Sequence, residues 1–211
     1  MLPPMGLDLT LVAADWERLR ETPVEDRIEA LEDAIWPPDL DDTYYLTHGG
    51  DKGWIRPPGR DSEWCAEYRF FCTTGAYRWH SRAGDAWADL RPLADASLRE
   101  AMDRFLNGLL RYEDPADDPT VTGAGGFFPA ATDRRHRPTL LICPPDAAPA
   151  KAHAWHQAAP RLEELRGPFA AECAGWAGRP DTFEDFTALL REWGEVVTEA
   201  TRRGWGLVGL P

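Results

Sequence analysis

Phe183, Phe186, Leu189, Leu190, Trp193, Val196 and Val197 recur at three- and four-residue intervals until Gly204. There the pattern changes to period two, with Trp205, Leu207 and Gly209 alternating with Gly206, Val208 and Leu210. The first pattern is an amphipathic helix and the second a strand. Asp181, with Glu184 three residues on, marks the expected start of the helix, and Gly204 stops it. A helix running into a closing strand must bury its stripe on a layer that the strand helps to build.

The opening of the chain supplies a matching strand. Leu7, Leu9 and Leu11 point one way and Asp8, Thr10 and Val12 the other, so residues 7–13 read as a strand with one buried face. A strand at each end makes pairing of the two an expectation. Between them, Thr22-Pro23-Val24-Glu25 combines a capping box with Pro at the first helical position, and Val24, Ile28, Leu31 and Ile35 follow at helical spacing, giving a helix over 23–35. Residues 37–63 carry Pro37-Pro38, Gly49-Gly50, Gly53, Pro57-Pro58 and Gly59 and are expected to form a long surface loop.

Residues 65–73 and 76–82 are aromatic-rich and alternate around Thr74-Gly75, which predicts a hairpin with a two-residue turn. That register puts Tyr68, Phe70, Cys72, Tyr77 and Trp79 on one face. Glu67, Arg69, Arg78, His80 and Arg82 fall on the other, with Arg69 opposite His80. Downstream, Ser97-Leu98-Arg99-Glu100 reads as a capping box for an apolar stripe running from Leu98 to Leu110, and this helix is expected to pack on the sheet. Residues 111–138 read as irregular and Leu140–Ile142 as a short buried strand. The pattern from Lys151 to Trp176 is broken by Pro160 and Pro168 into two short helices or a kinked one. The expected fold class is α+β: a mixed or antiparallel sheet with N- and C-terminal strands, packed by several amphipathic helices, in a single domain over 1–211.

Composition narrows the function classes. The chain has 211 residues, 43% of them hydrophobic, with ten Trp and a formal net charge of −13. Such a charge repels nucleic acid and keeps a protein soluble or draws a basic partner. Arg far outnumbers the two lysines, Lys52 and Lys151, the codon bias of a GC-rich genome, so a bacterial source among the actinobacteria is expected. Cys65, Cys72, Cys143 and Cys173 lack the two-residue spacing of zinc or redox motifs and are expected to be reduced thiols. With no cationic and apolar leader and no apolar run of ~18 residues, the expected location is the cytoplasm, without a membrane partner.

The two ends carry a resemblance. Met5-Gly6-Leu7-Asp8-Leu9-Thr10-Leu11, Glu192-Trp193-Gly194-Glu195-Val196-Val197 and Arg203-Gly204-Trp205-Gly206-Leu207-Val208-Gly209-Leu210 resemble a group of uncharacterised actinobacterial proteins. More distantly, a Met-Gly start into a strand and a late helix into a final strand are similar to the YfbM-like family of small bacterial α+β proteins. The resemblance covers the ends and not the long middle, implies an α+β fold, and implies no catalytic residue.

Several residues are candidates for chemistry. On the expected hairpin, His80, Glu67 and Arg78 form a candidate catalytic set, since an imidazole between guanidinium groups and a carboxylate can move protons or hold an anion. Arg69, Trp79 and Tyr77 are candidate ligand-binding residues. His153 and His156 share a helix face, but two ligands are too few for a metal site, so no metal and no cofactor is expected. Gly123-Ala124-Gly125-Gly126, with Arg134, Arg135 and Arg137 behind it, could wrap a phosphate but lacks the GK[ST] continuation of a P-loop and reads better as a plain loop or lid. Trp64, Trp79 and Trp155 fall outside the strongest helix stripes and are candidates for lining a pocket. Two readings of function follow. The first is a non-enzymatic binding or interaction protein, immunity-like or accessory, whose ligand is a basic protein partner or a small molecule. The alternative is a small-molecule hydrolase or transferase using the His/Glu/Arg set.

Overall fold

The computed structural model describes residues 8–36, 50–56, 63–110, 126–129 and 139–211. In chain order its elements are β1 (Thr10–Ala14), α1 (Trp16–Leu19), α2 (Arg27–Ile35), β2 (Gly53–Ile55), β3 (Cys65–Arg69), α3 (Arg78–Leu90), α4 (Ala96–Leu106), β4 (Leu141–Cys143), α5 (Ala148–Ala158), α6 (Arg166–Glu172), α7 (Phe183–Arg203) and β5 (Gly206–Leu210). The strands form one sheet in the order β2-β3-β1-β5-β4, with every neighbouring pair antiparallel. The fold is α+β, as the patterning predicts, and its first and last strands pair at the centre of the sheet, with Leu11 opposite Gly209.

Because side chains alternate along a strand, the sheet has two apolar faces and both are covered. Leu11, Ala13, Ala66, Tyr68, Cys143 and Leu207 point into the larger core, under α3 to α7. Val12, Ala14, Cys65, Val208 and Leu210 point the other way, against Trp16, Leu19, Leu31, Ile35 and Phe128. On that second face Phe127 is sandwiched between the Trp16 ring, stacked at 4.2 Å, and the Arg27 guanidinium, 4.2 Å from its centroid.

α7 is the long strut of the larger core. Thr182 rather than Asp181 caps it: the Thr182 hydroxyl accepts from the Asp185 N–H at 3.0 Å, and Asp185 accepts in return from the Thr182 N–H at 3.2 Å. The helix ends on Gly204 at φ 69°, a left-handed conformation that glycine adopts without strain. α4 likewise starts two residues earlier than expected, because the Asp95 carboxylate accepts from the Ser97 and Leu98 N–H groups, so Ser97 is not the cap. The prolines divide the region after α5 as expected, with a 3-10 stretch over Ala159–Leu165 leading into α6. The expected loop 37–63 contains one strand, β2; residues 37–49 and 57–62 lie outside the described residues.

One expectation is overturned. Residues 76–82 are not the second strand of a hairpin. β3 pairs with β1 and β2, and the chain turns at Gly75, φ 90°, directly into α3. His80, Ala83, Gly84, Trp87 and Leu90 are buried at helical intervals, a stripe worth far more burial than a two-stranded ribbon could provide. Among the described residues no helix is long and apolar enough to cross a membrane.

Candidate functional site

Loss of the hairpin scatters the candidate catalytic set. Glu67 lies on the second face of the sheet, only 7% exposed, between Val12 and Ile55 of the neighbouring strands. Its carboxylate is held by Arg69 in a two-pronged pair, Nε to Oε1 at 2.7 Å and a terminal nitrogen to Oε2 at 2.9 Å. His80 is on the other side of the sheet with no exposed surface. It therefore does not oppose Arg69. Its Nδ1 accepts from the Trp193 indole N–H at 3.1 Å, while Nε2 has no hydrogen-bond partner among the described residues. Phe70, Tyr77 and Trp193 surround the ring, and burial pushes its pKa down to about 3. A neutral imidazole so enclosed cannot pass protons to a substrate in this state.

Arg78, Trp79 and Tyr77 sit at the start of α3. Tyr77 is half-buried against His80, whereas Arg78 is exposed. Trp79 is half-buried, and the guanidinium carbons of Arg78 and Arg82 lie 5.5 and 5.3 Å from its ring centroid. Its indole N–H donates to the Thr74 hydroxyl at 3.4 Å. The structure thus keeps Arg78 and Trp79 together and separates both from Glu67 and from the His80 ring.

The residues that shape this surface include several that sequence patterning did not single out. After β3 the backbone turns through residues 71–75, and that turn is braced from several sides. Glu192, on α7, accepts from the Phe71 N–H at 2.7 Å and from the Cys72 N–H at 3.0 Å. The Tyr68 hydroxyl bridges the same carboxylate and that of Glu195, at 3.5 and 3.2 Å. Lys52 donates to the Thr73 carbonyl at 3.1 Å, and the Gly75 N–H donates to the Thr73 hydroxyl at 3.2 Å. Burial, then the neighbouring Glu192 carboxylate, raises the Cys72 thiol well above its ordinary pKa, so it is no thiolate nucleophile at neutral pH.

The braced turn throws Phe71 outward. Phe71 is 66% exposed, and its ring packs beside Gly53, whose φ of 80° suits glycine. Phe71 belongs to this turn, Lys52 and Trp79 bond to it at Thr73 and Thr74, and Arg78 and Arg82 lie against the Trp79 ring. Neither Arg78 nor Arg82 pairs with a carboxylate among the described residues; Asp85, one turn further along α3, instead faces Arg179 at 3.7 Å. Asp51 and Asp8 lie at the margins, the latter through a strand bridge to Ala76.

The remaining candidates fall elsewhere. Trp155 is buried against α7 and Trp64 is half-buried on the second face beneath Arg18, so neither joins this surface. His153 and His156 are exposed on α5 and bond within their own helix, to Gln157 and to the Ala152 carbonyl. Among the described residues no group of three or more His, Cys, Asp or Glu side chains is gathered as a metal would need. Gly123, Ala124, Gly125, Arg134, Arg135 and Arg137 lie outside the described residues. Comparison with protein-family models, curated proteins and solved structures finds no match to this chain.

Proposed function

We propose that this protein acts by binding another protein, in an accessory or masking role, and that the turn at 71–75 with the first turns of α3 is its contact face. The observation that carries the reading is Phe71: a large aromatic ring held out into solvent on a backbone fixed by the Glu192 carboxylate. Exposed aromatics on rigid supports are the anchors of protein interfaces, because little conformational entropy is lost when they are covered. Trp79 and its two arginines supply the aromatic and guanidinium groups that interfaces favour. By contrast, the groups that an acid–base enzyme would need, His80 and Glu67, are committed to the interior and to an ion pair.

The test compares wild type with Phe71→Ser and with Leu93→Ser, an exposed apolar residue beyond the other end of α3. Partners recovered from the native cells are purified and their affinities measured by calorimetry. Phe71→Ser is expected to weaken binding by about tenfold or more, ~1.4 kcal/mol, without lowering the melting temperature, while Leu93→Ser leaves it unchanged. Equal affinity of wild type and Phe71→Ser would remove this face from the interaction.

A further inference from the structure

We infer that the segment recognised at this face is acidic, with a carboxylate of the partner chain docking against Arg78 and Arg82 over the Trp79 indole while an apolar side chain covers Phe71. This rests on the reading of the turn as a contact face and gives it a chemistry.

Three observations support it. The first is local pairing. Several of the described arginines are neutralised within the chain, among them Arg69 by Glu67, Arg91 by Asp103, Arg161 by Asp95 and Glu164, Arg166 by Glu163 and Glu184, and Arg179 by Asp89. Arg78 and Arg82 pair with no carboxylate among the described residues and share the Trp79 ring. Four residues apart on a helix they share one face, so two like charges are held together without an ion-pair partner among the described residues. A carboxylate placed there relieves that repulsion, and guanidinium groups resting on an aromatic ring keep their N–H edges free to bind it.

The second is the helix itself. α3 has no side-chain cap and no acidic residue in its first turn, so the positive end of its dipole adds to the two arginines instead of being neutralised by the chain. Lys52, whose ammonium reaches the Thr73 carbonyl, contributes a third cation beside the turn.

The third is contrast with the rest of the molecule. The net charge is −13, so an acidic segment is repelled over most of the surface and finds its complement here. Repulsion elsewhere gives register as well as selectivity. The same field argues against a polyanion such as nucleic acid, whose many phosphates would extend beyond the patch onto like charge. One or two carboxylates fit within it.

The experiment is an NMR titration of the ¹⁵N-labelled full chain, reading the Arg78 and Arg82 Nε–H and Trp79 indole resonances. The probes are a short Glu-Phe-Glu peptide with blocked ends, its Lys-Phe-Lys counterpart and inorganic phosphate, each at low and high salt. Saturable shifts with the acidic peptide alone, weakened by salt and abolished in the Arg78→Gln/Arg82→Gln double variant whose other resonances are unmoved, are expected. Absence of shifts with the acidic peptide, equal shifts with the basic peptide, equal shifts with phosphate, or shifts that survive in the double variant would each overturn the inference. The recovered protein partner separates this failure from that of the contact face. Binding that depends on Phe71 but not on the two arginines keeps the face and discards its acidic chemistry, whereas binding that depends on neither discards both.

Discussion

His80 shows how burial decides what a side chain can do. With Nδ1 accepting from Trp193, the ring proton belongs on Nε2, where it has no acceptor among the described residues, and this orphaned donor, like that of the Trp16 indole, costs about 1–3 kcal/mol. Charging the ring would cost more, which is why its pKa falls from 6.5 to about 3. The sign of the linkage follows. Above pH 6.5 both folded and unfolded chains hold a neutral His80, and the residue adds no pH dependence. Between 6.5 and about 3 only the unfolded chain takes up the proton, so stability drains away as pH falls, by up to roughly 1.4 kcal/mol per pH unit. Carboxylates that bond to arginine, such as the half-buried Glu199, push stability the same way at lower pH, so the comparison must be with a variant. His80→Asn offers Trp193 an amide oxygen and does not titrate. Its unfolding free energy, measured by denaturant at pH 7 and pH 5, is expected to fall less over that interval than that of wild type; parallel losses would show that His80 is not the titrating group.

At the scale of elements, close approach between helices is bought with small residues. A Cβ on Gly194 would lie 2.0 Å from the Trp155 ring, so α5 and α7 touch only because residue 194 has no side chain. Gly194→Ala is expected to destabilise by roughly 1–3 kcal/mol or more, despite the helix propensity of alanine, and Trp155→Leu in the same chain is expected to recover part of the loss. Additive losses in the double variant, read from denaturant midpoints, would place the strain elsewhere. α7, β1 and β5 were legible in the sequence because their apolar residues keep one period throughout and end at capping residues or glycine. α3 was not. Its buried stripe contains His80, Ala83 and Gly84, a polar ring and two small residues that carry little hydrophobic signal, while Tyr77 and Trp79 advertise the alternation of a strand. The site was half legible for the same reason: Arg78, Trp79 and Tyr77 stand out by type. Nothing in local sequence joins Glu192 to the backbone of Phe71 and Cys72, some 120 residues away.

For the whole molecule, the central pair β1 and β5 is covered on both faces and flanked on both edges, by β3 and by β4. Amides there should exchange with solvent only through global opening, and those of β2, a three-residue edge strand, through local fraying. Hydrogen exchange read by mass spectrometry checks this ordering; protection of β2 equal to that of β1 would contradict it. The same arrangement bears on how the chain is made. β1 is synthesised before its partners, and β3 can close one of its sides within some tens of residues, but the strand that closes the other is synthesised about two hundred residues after it. β4, too, has no neighbour but β5 among the described strands. Between the synthesis of β3 and that of β5 the nascent chain therefore carries an unsatisfied edge on β1, the kind of surface that chaperones hold and that misassembly exploits, and β5 is the strand that joins β4 to the rest of the sheet.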